Sequence, residues 1–116
     1  MVAVYNETRN LLLAEQCLVA RGFLQRMRGL IGRSALAPGE ALLIEPCSSV
    51  HSFFMRFPID ILFADRHNRV VGLRADLPPN RPFAGARRAR YVIELPTGMI
   101  AATGTQLGDQ LRLELL

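Results

Sequence analysis

The sequence predicts a mainly β protein with a minor helical part, a compact β-sandwich or barrel-like domain of about seven or eight short strands with one packed amphipathic helix. Short apolar runs recur along the chain, and proline or glycine turn signals separate them. Only one longer segment has strong helical spacing. Many short strands with one substantial helix are typical of sandwiches and small barrels.

Eight segments have the apolar pattern and the flanking turn residues expected of strands. They are Val2–Tyr5, Leu11–Ala20, Ala41–Glu45, Val50–Met55, Ile59–Ala64, Val70–Ala75, Arg90–Leu95 and Gln110–Leu115. In the second, Glu15 interrupts the alternation of apolar residues. We place Pro58 between two strands, because proline cannot donate to a sheet ladder. Residues 65–69 have the length and composition of a hairpin loop.

A helix is predicted between the second and third strands, because five apolar residues form one stripe. They are Phe23, Leu24, Met27, Leu30 and Ile31. Gly32 suits the left-handed residue that ends such a helix. A shorter helix is predicted within Thr97–Thr103, ended by Gly104, and the proline-rich segment Leu77–Arg88 is predicted to be the longest loop.

Length and composition fit one domain, residues 1–116, that folds by burial of apolar surface. The chain has 116 residues, of which 50% are hydrophobic and 21% charged. Its net charge of +4 comes from arginine, since lysine is absent. Cys17 and Cys47 form no disulfide framework of the secreted type. With neither an export signal nor a membrane-spanning run, the sequence predicts a cytoplasmic protein without a membrane segment.

Cys47, His51 and Met55 share one face if their segment is extended. Residues four apart on a strand are separated by roughly 13 Å. One metal ion, with bonds of about 2 Å to each ligand, cannot bridge that distance. Only a bent or helical segment would let the three side chains converge on a metal. The pattern therefore favours packing over metal binding, and no metal or cofactor is predicted.

Two carboxylates interrupt apolar strands and are the most informative polar residues. Asp60 lies between Ile59 and Ile61, where a carboxylate needs a partner or must keep its proton. Arg56 is the nearest candidate partner, and a structural ion pair is the favoured interpretation. Glu94 either faces solvent on an edge strand or is buried; the pattern leaves both open.

Arginines form two groups, one around the predicted helix and one around the long loop. The first contains Arg21, Arg26, Arg28 and Arg33, and the second contains Arg81, Arg87, Arg88 and Arg90. Nucleic-acid binding is disfavoured, because tryptophan is absent and most phenylalanines lie in core-like runs. The sequence also lacks a phosphate-binding glycine loop, a Gly-x-Ser-x-Gly elbow and a His-Glu-x-x-His motif.

Four segments, in this order, resemble domain-of-unknown-function family 192 over about residues 11–113. They are Arg28–Arg33, Phe54–Arg56 with Pro58–Phe63, Glu94–Pro96 with Gly98, and Gly108–Asp109. The resemblance implies a compact β-sandwich or barrel-like fold with a packed helix. It implies no activity, cofactor or substrate.

The leading hypothesis is a binding module rather than an enzyme, with no catalytic residues assigned. Its groove would lie near Met55, Arg56, Asp60 and Glu94, with His51 beside them, and would hold a small molecule or a protein segment. One alternative is a hydrolase-like or metal-assisted enzyme that uses His51 with Asp60 or Glu94 as acid and base. Another is an interaction or nucleic-acid-binding protein that uses the arginine groups.

Overall fold

A computed structural model describes residues 1–22, 33–52, 55–81 and 84–116. Within them it contains nine strands and one short helix, so the mainly β prediction is confirmed, with slightly more strands than expected. The elements are β1 Val2–Asn6, β2 Leu11–Ala20, β3 Glu40–Ile44, β4 Ser49–Val50, β5 Ile59–Ala64, β6 Val70–Leu77, β7 Ala84–Gly85, β8 Tyr91–Pro96, α1 Met99–Thr103 and β9 Leu111–Leu115. The predicted amphipathic helix at residues 23–31 lies outside the described residues.

Seven strands form one curled sheet in the order β6-β5-β8-β3-β2-β1-β9. Strands β2 and β3 pair in parallel, and the other neighbours are antiparallel. The two outermost strands meet at one corner, where Arg69 and Gln110 form a bridge and the Val70 N–H donates to the Asp109 carbonyl at 2.9 Å. The sheet is therefore a half-barrel whose edges join at one end.

The curled sheet separates two apolar cores. The inner core, inside the curl, contains Val2, Val4, Leu13, Ala14, Cys17, Ala41, Leu43, Leu62, Ala64, Val70, Tyr91, Ile93, Leu95, Ile100 and Leu111. The outer core, on the opposite face, contains Ala20, Leu36, Leu42, Ile44, Met55, Ile59, Ile61, Phe63, Leu77, Ala84 and Val92. Strands β3, β5 and β8 contribute to both cores, so their runs are almost continuously apolar.

A small two-stranded ribbon, β4 with β7, belongs to the layer that covers the outer core. Buried Ser52 anchors this layer, because its hydroxyl donates to the Pro78 carbonyl at 2.6 Å and accepts the Arg81 N–H at 2.7 Å. Gly72 allows the segment after β7 to approach β6, since a Cβ there would lie only 2.6 Å from the Cβ of Ala86.

One strand prediction needs correction, and the irregularity expected in another is confirmed. The strand expected over Val50–Met55 ends at Val50, because the Ser52 backbone bonds to residues 80 and 81 and its carbonyl also accepts the Met55 N–H. Glu15 interrupts the pattern of β2 at a register shift, where its N–H and that of Gln16 both donate to the Gly39 carbonyl. The short helix is confirmed as α1, and Gly104 follows it with φ 67°.

Candidate functional site

Glu94 lies at the centre of the sheet rather than on an edge. Its strand β8 is paired on both sides, with Leu42 of β3 and Ile61 of β5 directly opposite Glu94. Directly opposite residues share a face of the sheet, and both neighbours belong to the outer core. The solvent-facing edge position considered from the sequence is therefore wrong, and the carboxyl group enters the outer core.

The Glu94 carboxyl group is buried, and one of its two oxygen atoms has no polar partner among the described residues. The residue is 4% exposed, and its Oε2 atom accepts no hydrogen bond from the described part of the chain. Burial raises the pKa of Glu94 from its ordinary 4.5 to about 7, because the apolar surroundings disfavour the charged form. Near neutral pH both the protonated and the ionised form of Glu94 are therefore populated.

A cleft of about 280 Å³ opens at the end of β8. Leu36, Phe57, Pro58 and Pro96 are among its lining residues, and Leu36 and Phe57 also pack in the outer core. Pro96 and Glu94 are two residues apart on one strand, so their side chains share a face and their Cα atoms lie roughly 7 Å apart. The cleft thus begins at the next residue of β8 that shares a face with Glu94.

Asp60 is equally buried, at 0% exposure, but it lies on the other face of the sheet. It shares the parity of Leu62, an inner-core residue, and its Oδ2 accepts the Ile100 N–H at 2.7 Å. Its Oδ1 accepts the Asp76 N–H at 2.8 Å. These bonds, rather than the expected ion pair with Arg56, satisfy Asp60, and its position separates it from a site around Glu94.

The remaining predicted site residues lie near the outer core. Met55 is buried within it, whereas the neighbouring Arg56 is exposed beside Phe57 at the cleft. His51 is exposed next to buried Ser52. Because the Oε2 atom of Glu94 lacks any hydrogen bond from the described residues, the expected acid–base pair of His51 with this atom is not formed.

A polar network that no sequence pattern indicated joins the ends of the first and last strands. Asn6 donates to Asp109 at 2.9 Å and to Thr105 at 3.0 Å, and the Arg9 Nε donates to Asp109 at 2.7 Å. Burial alone would raise the pKa of Asp109, but hydrogen bonds from Arg9, Asn6 and the Gln106 N–H outweigh it and lower the pKa. The partners lie about a hundred residues apart, so no local pattern reveals them.

No group of three or more His, Cys, Asp and Glu side chains in the described ranges is arranged to hold a metal ion. No described helix is long and apolar enough to cross a membrane.

Comparisons with known proteins agree with this fold. Over 96% of this chain and 82% of the other, it superposes on a protein of unknown function from Novosphingobium aromaticivorans, with a TM-score of 0.83 and 22% identity. A putative transcription regulator from Sinorhizobium meliloti superposes with a TM-score of 0.83 and 21% identity, over 97% of this chain and 91% of that one.

Sequence relatives are archaeal. A UPF0127 protein of Pyrococcus horikoshii is 34% identical over 94% of this chain and 96% of the relative. Another, from Pyrococcus abyssi, is 31% identical over 95% of this chain and 96% of the relative. The DUF192 family model, described as "Uncharacterized ACR, COG1430", matches residues 4–113, which is the expected region extended at its start into β1. The chain therefore belongs to the DUF192 family.

Proposed function

We propose that the domain formed by residues 1–116 is a binding module for a small molecule with an apolar body and a hydrogen-bond donor at one end. The observation that carries the proposal is the Glu94 carboxyl group, which is buried and without a hydrogen bond to Oε2 from the described residues. A buried polar atom without a partner costs about 1–3 kcal/mol, and a ligand donor would remove that cost.

The surroundings of Glu94 define the chemistry of the ligand. The cleft beside Pro96 is lined mainly by apolar side chains, including Leu36 and Phe57, which suit an aliphatic or aromatic body. A carboxylate accepts hydrogen bonds, so the inner end of the ligand carries an amine or a hydroxyl group. Met55 packs in the same core, and exposed Arg56 precedes the lining residue Phe57 in sequence.

Three probes with one body and different head groups test this proposal: hexylamine, hexanol and hexanoate. Each is titrated into protein labelled at its methionine methyl groups and followed by NMR, with Met99 of the inner core as the internal reference. We expect the amine and the alcohol to shift the Met55 methyl signal and hexanoate to leave it unchanged. Amine binding strengthens as the pH rises through about 7, because Glu94 then ionises.

Glu94→Gln is the decisive variant, because it keeps the side-chain shape and removes the charge. We expect it to weaken hexylamine binding about tenfold, because one charge-assisted hydrogen bond is lost. Glu15→Gln on the exposed part of β2 is the matched control and should bind as the wild type does. Equal binding of the amine by both variants, or no shift at Met55 with any probe, would refute the proposal.

We also propose that the protein works in the cytoplasm. Cys17 and Cys47, the two cysteines of the sequence, are not joined by a disulfide, and Cys17 lies buried in the inner core. Reduced cysteines are typical of cytoplasmic proteins. Mass spectrometry of alkylated protein from the host cell tests this, since a cytoplasmic protein should carry both cysteines as thiols.

A further inference from the structure

A second surface, separate from the cleft, follows strand β6. Three depressions of about 430, 310 and 440 Å³ adjoin one another, because the first two share Val71, Arg87 and Leu107 and the last two share Arg88. Together we call them the β6 groove. Its arginines are Arg66, Arg74, Arg87, Arg88 and Arg90.

These five arginines lack acidic partners within the described residues, unlike four arginines elsewhere in the molecule. Arg9, Arg21, Arg33 and Arg112 each form an ion pair with a carboxylate. By contrast, none of the β6-groove arginines pairs with a carboxylate in the described part of the chain. The one acid that lines the depressions, Asp65, already accepts the N–H groups of His67 and Arg69. The groove thus presents an uncompensated positive charge.

The groove also has an apolar side and lies along an open strand. Leu107 is 65% exposed, and Val71 and Leu73 are only half-buried. Strand β6 is the edge of the seven-stranded sheet, and its far side is bridged in the described residues only at its start, by Arg69 with Gln110. An edge strand offers unpaired backbone groups to an added extended chain. Gly72 and Ala86 hold the arginine-bearing segment against this strand.

We propose that the β6 groove binds an extended acidic segment of a partner protein. Carboxylates of the segment would pair with the arginines, and its apolar side chains would contact half-buried Val71 and exposed Leu107, which line two of the depressions together. A nucleic acid fits less well, because Phe63 is buried and His67 is the single exposed ring that the described lining offers for stacking on a base. A second copy is a poor complement too, since this chain carries a net charge of +4.

Fluorescence anisotropy with three labelled probes tests this proposal. The probes are a short alternating Glu-Val peptide, the same peptide with Lys in place of Glu, and an oligothymidylate of equal length. We expect the Glu-Val peptide to bind most tightly and its affinity to fall as salt is added. Tighter binding of the Lys peptide or of the oligothymidylate would overturn the proposal.

Two double variants locate the binding site. Arg87→Gln/Arg88→Gln removes two groove charges, whereas Arg21→Gln/Arg33→Gln removes two charges that are paired elsewhere. We expect the first double variant to weaken binding of the Glu-Val peptide about tenfold, because two exposed ion pairs with the peptide are lost. The second should weaken binding by less than about twofold, because no ion pair with the peptide is lost. Equal losses in both would mean that only net charge matters and would overturn the assignment. Matching melting temperatures confirm that both variants fold.

Discussion

Asp60 and Glu94 stand on adjacent strands in almost the same sequence setting, each flanked by large apolar residues, yet their environments differ completely. Asp60 faces the inner core and accepts two backbone N–H groups, from Asp76 and Ile100. Glu94 faces the outer core, and its Oε2 atom accepts no hydrogen bond from the described residues. The first carboxylate joins β5 to β6 and to α1, whereas the second has an oxygen atom without a hydrogen bond from the described residues. Burial of a carboxylate alone therefore does not show whether its oxygen atoms have partners.

The largest expected effect is that of Asp60→Ala. Removal of the carboxylate leaves the N–H groups of Asp76 and Ile100 without their acceptor, so we expect a loss of about 4 kcal/mol in the free energy of unfolding. Urea denaturation measures it. Asp60→Asn keeps one acceptor oxygen and should lose about half as much. A loss below about 1 kcal/mol for Asp60→Ala would show that these hydrogen bonds are not structural.

Glu94→Gln should have a smaller effect that depends on pH. The folded chain holds the Glu94 proton up to about pH 7, whereas the ordinary pKa is 4.5, so between these values the folded state binds more protons than the unfolded state. The stability of the wild type therefore falls as the pH rises through this window, by up to about 3 kcal/mol. Glu94→Gln does not ionise and should lack this loss.

The comparison is made by urea unfolding of both proteins between about pH 4 and pH 8. As the pH rises, the free energy of unfolding of the wild type should fall relative to that of Glu94→Gln. Glu15→Gln serves as the control, because this residue is exposed. If the curves of the wild type and Glu94→Gln stay parallel, Glu94 does not titrate as its burial requires.

The smallest effect is expected from Ser52→Ala, which loosens the layer over the outer core. The hydroxyl group makes two hydrogen bonds to the segment at residues 78–81, and their loss should lower the free energy of unfolding by about 2 kcal/mol. Water then reaches the outer core more easily, so the pKa of Glu94 should fall towards 4.5. Carbon-detected NMR of the glutamate carboxyl signals measures that pKa.

Exposed Ser48, the residue immediately before β4, provides the matched control. Ser48→Ala keeps the backbone bond between its carbonyl and the Ala86 N–H and should leave both quantities unchanged. A Glu94 pKa that stays near 7 in Ser52→Ala would show that the ribbon layer does not cause its burial.

Local patterns were sufficient for most of the strands and turns. Alternation and turn residues predicted β5, β8 and the hairpin at residues 65–69, and they marked Asp60 and Glu94 as unusual. These features depend on neighbours within a few residues, which the sequence displays directly. The early end of β4 was not predictable, because it depends on bonds between Ser52 and residues far along the chain.

The sequence by itself determined that this chain is mainly β and that two carboxylates lie in apolar strands. Only the tertiary structure decided their roles. The partners of Asp60 lie 16 and 40 residues away, and Glu94 is central because the strand order puts β8 between β5 and β3. The grouping of arginines beside β6 has the same origin. Side-chain alternation is local and readable, whereas strand order brings distant segments together, and it therefore decides which polar groups find partners.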